Sequence, residues 1–172
     1  PHECSSAASD VYKRQRYHAR VETSCRGDQC HGARARSRTA HGDIASHGSV
    51  ARYEAFRKII DDLAVPYALI PGNHDDREAL RDVFGGSPAL PATGDFLHYV
   101  IDHLPVRIVC CDSVIVGEAP GEMCPERCEW LDERLAEAPD RPTIVALHHP
   151  PFYSGMTGSS AKGLKHGGAE FA

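Results

Sequence analysis

Three short stretches of this 172-residue chain set metal-ligand types of side chain at turns. Gly42-Asp43 supplies a carboxylate. Gly72-Asn73-His74-Asp75-Asp76-Arg77 supplies an amide, an imidazole, two carboxylates and a guanidinium, and Leu147-His148-His149-Pro150-Pro151 supplies two imidazoles. Carboxylate oxygen, amide oxygen and imidazole nitrogen together suit a hard-to-borderline divalent cation such as Mn²⁺, Fe²⁺ or Zn²⁺. Taken singly, each has an ordinary reading: Asp43 and Asn73 as turn residues, the His pair as satisfied side chains beside a proline. A site exists only if the fold delivers all three stretches to one place.

The elements that would deliver them are legible from periodicity. Tyr67-Ala68-Leu69-Ile70 reads as a short buried strand closed by Pro71-Gly72, and Thr143 to Leu147 reads as another, ending at once in His148. In an open α/β sheet, ligands gather just past the carboxyl ends of strands. Val50, Tyr53, Phe56, Ile59, Ile60 and Leu63 recur at helical spacing, predicting an amphipathic helix before the first of these strands. Arg77 to Phe84 predicts a second helix, N-capped by Asp75 or Asp76 and ended by Gly85-Gly86. His98–Asp102 and Val106–Asp112 read as two strands joined through Pro105. Pro125 and Glu126 open a helix that turns Trp130, Leu131 and Leu135 towards a core. This order specifies an α/β layered domain.

Composition narrows the class. The net charge of −5 conceals a basic first 40 residues and a strongly acidic remainder, which argues against broad binding to nucleic acid. No run approaches the roughly 18 apolar residues of a membrane span, and no secretory pattern is present, so the expected address is cytoplasmic. Seven Cys in no framework spacing argue against a disulfide scaffold. Cys110-Cys111 read as buried thiols, and neither Cys25/Cys30 nor Cys124/Cys128 has a second pair to complete a zinc site. His98 and His103 flank a strand and read as surface or edge residues, and His41 and His47 bracket Asp43.

Residues 1–40 read as a non-native or disordered segment. Their only large aliphatic residues are Val11 and Val21, too few to offset ordering entropy, and Ser5 to Gln15 resembles translated sequencing-adapter sequence. A basic arm for nucleic acid is the functional alternative. Residues 41–172 are then a partial catalytic domain.

Those three blocks and their spacing resemble the calcineurin-like metallophosphoesterases. Gly72-Asn73-His74-Asp75-Asp76-Arg77 with Leu147-His148-His149-Pro150-Pro151 is most similar to the bacterial cyclic-nucleotide and glycerophosphodiester phosphodiesterases. The resemblance implies a four-layer α/β/β/α sandwich, incomplete here, with two divalent ions (Mn, Fe or Zn) that activate water and neutralise phosphate oxygens. It implies that Asp43 bridges the metals, that Asn73 and His148 ligate the second, and that His74 protonates the leaving oxygen while Asp75 holds its other ring nitrogen. His149 and Arg77 are assigned to the support of the ligands or to contact with substrate.

The departures from the family pattern are concentrated. No Asp-x-His motif occurs, Ser37 to His41 replaces the expected apolar strand, Ser46 fills the last place of Gly-Asp-x-x-Asp/Asn, and no Gly-His-x-His follows His149. What remains is a three-ligand half-site. The expectation is therefore a fragment of a phosphodiesterase, cyclic AMP first among substrates, that binds one metal weakly or none and turns over poorly. Its partner is a small phosphodiester, with no nucleic acid and no membrane. A glycerophosphodiesterase, a nucleotidase-type phosphomonoesterase and a non-catalytic metal- or phosphate-binding remnant are the alternatives.

Overall fold

The computed structural model describes residues 38–41, 43–45, 47–62, 66–88, 90–152 and 163–168, the first four by backbone alone. The readings made above for residues 1–37 and for Gly42, Ser46 and Leu63 fall outside these residues. The elements in chain order are β1 (Arg38–His41), α1 (Val50–Ile60), β2 (Tyr67–Ile70), α2 (Arg77–Phe84), β3 (Tyr99–Ile101), β4 (Arg107–Cys110), α3 (Pro125–Ala136) and β5 (Thr143–Ala146).

Local chemistry sets most of these limits. Asp76 is the N-cap of α2, its carboxylate accepting from the Ala79 N–H at 2.8 Å, and Gly85 closes the helix. Pro125 starts α3, with Glu126 in its first turn and Arg134 in its last, as the helix dipole favours. β4 is shorter than its apolar run because Asp112 turns inward to accept from the backbone N–H groups of Leu97 and Val114.

β1 and β2 pair in parallel, His41 opposite Ile70. β1 thus lies across the boundary that the sequence suggested between residues 40 and 41. An Arg-Thr-Ala-His run has no strong strand signature, and pairing with an apolar neighbour overrides that weakness. A second sheet has the order β3-β4-β5, antiparallel then parallel.

Alternation along β2 and β4 stacks the layers. Leu69 of β2 faces α1 and α2, packing with Tyr53, Ile60, Leu80, Val83 and Phe84. Ala68 and Ile70 face the second sheet, where they meet Ile101 and Cys110. On that sheet's far side, Val109 and Cys111 pack with Met123 and Leu131 of the α3 layer. The result is helices, sheet, sheet, helix: the α/β/β/α sandwich. Cys110 and Cys111 are both buried, and burial pushes their thiols up to about 11 and about 12.

Candidate metal centre

β1 and β2 form a parallel pair in the first sheet, and β5 runs parallel to β4 in the second. Asp43 follows β1, Asn73 and His74 follow β2, and His148 follows β5. The structure brings these four side chains together. The His148 imidazole Nε2 lies 3.3 Å from Asn73 Oδ1 and 3.9 Å from Asp43 Oδ1. The His74 backbone N–H donates to Asp43 Oδ1 at 3.1 Å, and its ring Nε2 is 3.9 Å from Asp43 Oδ2. All remain partly open to solvent: the side chains of His148, Asp43 and His74 are 22%, 30% and 45% exposed.

Two atoms that ligate one first-row cation at about 2.1 Å stand roughly 3–3.5 Å from each other. The His148–Asn73 separation meets that spacing, and the Asp43–His148 separation is within a small side-chain adjustment of it. Among the described residues no group of three or more His, Cys, Asp or Glu has metal-binding geometry. The set here is completed by an amide oxygen, a donor proper to hard cations. The three side chains fit one divalent ion as an open half-site.

Asp75 does something different from orienting His74. Its Oδ1 accepts from the Ala45 N–H at 3.1 Å and from the Tyr53 hydroxyl at 2.9 Å. Its Oδ2 accepts from the N–H groups of Ile44 at 3.0 Å and Gly72 at 2.9 Å. All four bonds go to the loops and to α1, and none to the His74 ring, so the assignment of Asp75 as the partner of that imidazole is corrected. Burial raises its carboxyl pKa, against the pull of the four donors.

Arg77 is likewise committed elsewhere. Its Nε and Nη2 grip the buried Asp112 carboxylate at 2.6 and 3.1 Å, and Nη2 also reaches the Val114 carbonyl. Two of its three guanidinium nitrogens are thereby committed to holding the fold together. Asp112 sits below the usual carboxylate range; burial alone would raise it, and the Arg77 bonds and charge outweigh that.

His149 lies behind His148, fully buried, with Nδ1 2.8 Å from Ser113 Oγ and the two rings edge to face at 4.9 Å. Burial, then the neighbouring His148, pushes it down to about 4, so it is neutral near pH 7. Its place is behind His148 and away from the open side. His98 is also not a surface residue: its ring stacks on Trp130 at 4.7 Å and its Nδ1 accepts from the Asp112 N–H. His47 is exposed, with its carbonyl bonded to Arg52. Sequence reasoning missed Tyr53 and Ser113. Tyr53 fits an apolar helix stripe, where nothing marks the use of its hydroxyl.

Comparison with known proteins identifies the family. A model of the family described as calcineurin-like phosphoesterase matches residues 40–170. A glycerophosphodiester phosphodiesterase, GpdQ, of Enterobacter lignolyticus is 37% identical over 114 residues, covering 64% of this chain and 40% of its own length. A probable GpdQ of Arcobacter nitrofigilis is 34% identical over 126 residues, covering 73% and 46%. The 3',5'-cyclic adenosine monophosphate phosphodiesterase CpdA of Escherichia coli is 32% identical over 129 residues, covering 75% and 45%. The chain thus spans about half the length of the curated relatives it matches. With the stacked sheets and the convergent Asp43, Asn73 and His148 in place, the match over residues 40–170 makes this chain a member of the calcineurin-like phosphoesterase family.

Proposed function

We propose that this chain is the metal-binding part of a phosphodiesterase, with a 3',5'-cyclic nucleotide, cyclic AMP, as the leading substrate. The observation that carries the reading is the meeting of Asp43, Asn73 and His148 beside His74. The family uses divalent metal ions. A cation held here would neutralise phosphate oxygens and make water a stronger acid. Asp43, Asn73 and His148 would hold it, through a carboxylate, an amide oxygen and an imidazole. The Asp43 carboxylate is itself steadied by the His74 N–H. His74, the most open of the side chains, stands beside Asp43 with its ring free to serve the departing alkoxide as proton donor, a task closed to a ligating imidazole. Mn²⁺, Fe²⁺ and Zn²⁺ all suit this donor set, and two ions is the complement proposed for the whole site.

Three protein ligands can hold a catalytic ion, but here one of the three is a neutral amide, a weaker donor than the imidazoles and carboxylates of such sites. Weak binding of one ion and poor turnover are therefore the properties proposed for this chain by itself. The glycerophosphodiesterase reading is kept because two of the relatives above carry that name. Among the described residues no helix is long and apolar enough to cross a membrane, and a cytoplasmic address and a small-molecule partner are parts of the proposal.

The test is Mn²⁺ titration of the chain and of its Asp43→Asn variant, with turnover of bis(p-nitrophenyl) phosphate, cyclic AMP and glycerophosphoethanolamine followed in parallel. Weak saturable binding that Asp43→Asn abolishes supports the reading, and the faster natural substrate chooses between the two activities. Binding untouched by Asp43→Asn sinks it.

A further inference from the structure

Tyr53 is fully buried in α1, within a cluster of Ile44, Ala45, Leu69, Leu80 and Phe84. Phenylalanine would fill that space equally well, so packing does not account for the hydroxyl. That hydroxyl donates to Asp75 Oδ1 and accepts from the Asp76 N–H, each at 2.9 Å. Through Asp75 it reaches the N–H groups of Ile44 and Ala45, directly after Asp43, and that of Gly72, directly before Asn73. The Gly48 N–H closes the same knot by donating to the His74 carbonyl at 3.0 Å. The fit is tight. A Cβ added at Gly48 would stand 2.7 Å from the Tyr53 hydroxyl and 2.4 Å from the Asp76 nitrogen.

We infer that Tyr53 is a positioning residue: its hydroxyl, acting through Asp75, locks the Asp43 loop to the Asn73 loop and so fixes the spacing of the metal ligands. Two oxygens that ligate one ion must be held to a fraction of an ångström, and loops do not supply that by themselves. A buried carboxylate whose four donors come from two loops and a helix does supply it. What the loops hold rests on the phosphodiesterase reading. That they are clamped does not.

The experiment compares the full chain with Tyr53→Phe, and with Leu131→Ala in the opposite layer as a control of pure destabilisation. Tyr53→Phe is expected to weaken Mn²⁺ affinity on the order of tenfold and to shift the amide resonances of Ile44, Ala45 and Gly72. Leu131→Ala is expected to lower the unfolding midpoint while leaving Mn²⁺ affinity in place. Unchanged affinity in Tyr53→Phe, or an equal loss in Leu131→Ala, overturns the positioning role. In the unmodified chain the Ile44 and Ala45 amides are expected to exchange as slowly as the amides of α1. Fast exchange there overturns the clamp, even if Tyr53→Phe fails to fold. Failure of the unmodified chain to take up Mn²⁺ counts against the phosphodiesterase reading instead, and slow exchange with a Tyr53-dependent amide shift then still supports the clamp.

Discussion

Asn73 Oδ1 and His148 Nε2 stand 3.3 Å apart although 75 positions of sequence separate them. One follows β2 in the first sheet and the other follows β5 in the second, so the contact exists only because the sheets stack through Ala68, Ile70, Ile101 and Cys110. Two residues that serve one ion should not act independently. Asn73→Ala and His148→Ala are each expected to lower Mn²⁺ affinity at least tenfold, and the double variant is expected to lose less than the product of the two. Titration calorimetry on the four proteins measures that coupling. Strict additivity would mean that the side chains do not share a cation.

Arg77 lies four residues from Asn73, and its role is separable from chemistry. Removing it leaves the Asp112 carboxylate, fully buried, with only backbone donors. Arg77→Ala is expected to destabilise the fold by about 3 kcal/mol or more, because a buried charge loses its counter-ion. Arg77→Lys should recover only part, since an ammonium cannot make the paired bonds of a guanidinium. Urea unfolding gives the stabilities and Mn²⁺ titration the affinity. A variant of near-native stability with lost substrate binding would restore Arg77 to the substrate.

The sequence made one class of information plain and hid another. Strand-turn positions carry strong local signals, so Asn73, His74 and His148 could be found as ligand types before their meeting was seen. The limits of α2 at Arg77 and Phe84 followed from a capping Asp and a terminal Gly. Hidden were the roles that depend on a distant partner. The family resemblance gives Asp75 to the His74 ring, yet two of its four donors lie 30 and 31 residues away at Ala45 and Ile44. His98 reads as an edge residue, and only the packing of α3 brings Trp130 over its ring. Strand β1 was missed because an Arg-Thr-Ala-His run carries no apolar alternation, its pairing being set by the neighbour.

His98 should make the fold sensitive to mild acid. Burial is the chief cause that pushes its pKa down to about 4, with Asp112 opposing and Arg127 and Arg77 assisting. Its Nδ1 accepts from the Asp112 N–H, and its Nε2 is buried without a hydrogen-bond partner among the described residues. An unfolded histidine takes its proton near pH 6.5. Stability from this group is therefore complete above that pH. It is lost as pH falls towards about 4, because the unfolded chain binds a proton that the folded chain refuses. The ceiling is roughly 3 kcal/mol. His149, also near 4, contributes in the same window. Denaturant unfolding between these pH values is expected to show the slope. His98→Phe, although less stable at neutral pH, should show a shallower one. An NMR titration midpoint for His98 near 6.5 would refute the assignment.

Gly121 offers a way to move His148 without touching it. A Cβ at Gly121 would lie 2.3 Å from His149 Nδ1 and 2.4 Å from the Ser113 carbonyl oxygen, well inside contact. His149 is 1% exposed and cannot swing aside cheaply, so Gly121→Ala must displace its ring, break the bond to Ser113 Oγ and strain the peptide shared with His148. The expected cost is about 1–3 kcal/mol of stability, together with weaker Mn²⁺ binding. Ser113→Ala is the control: it removes the hydroxyl bond, at about 1 kcal/mol, and leaves the ring seated. If the two variants lower Mn²⁺ affinity equally, the hydrogen bond orients His148. If only Gly121→Ala does, the seat of the His149 ring sets the direction of its neighbour, and the spacing between Asn73 and His148 is a consequence of packing behind the site.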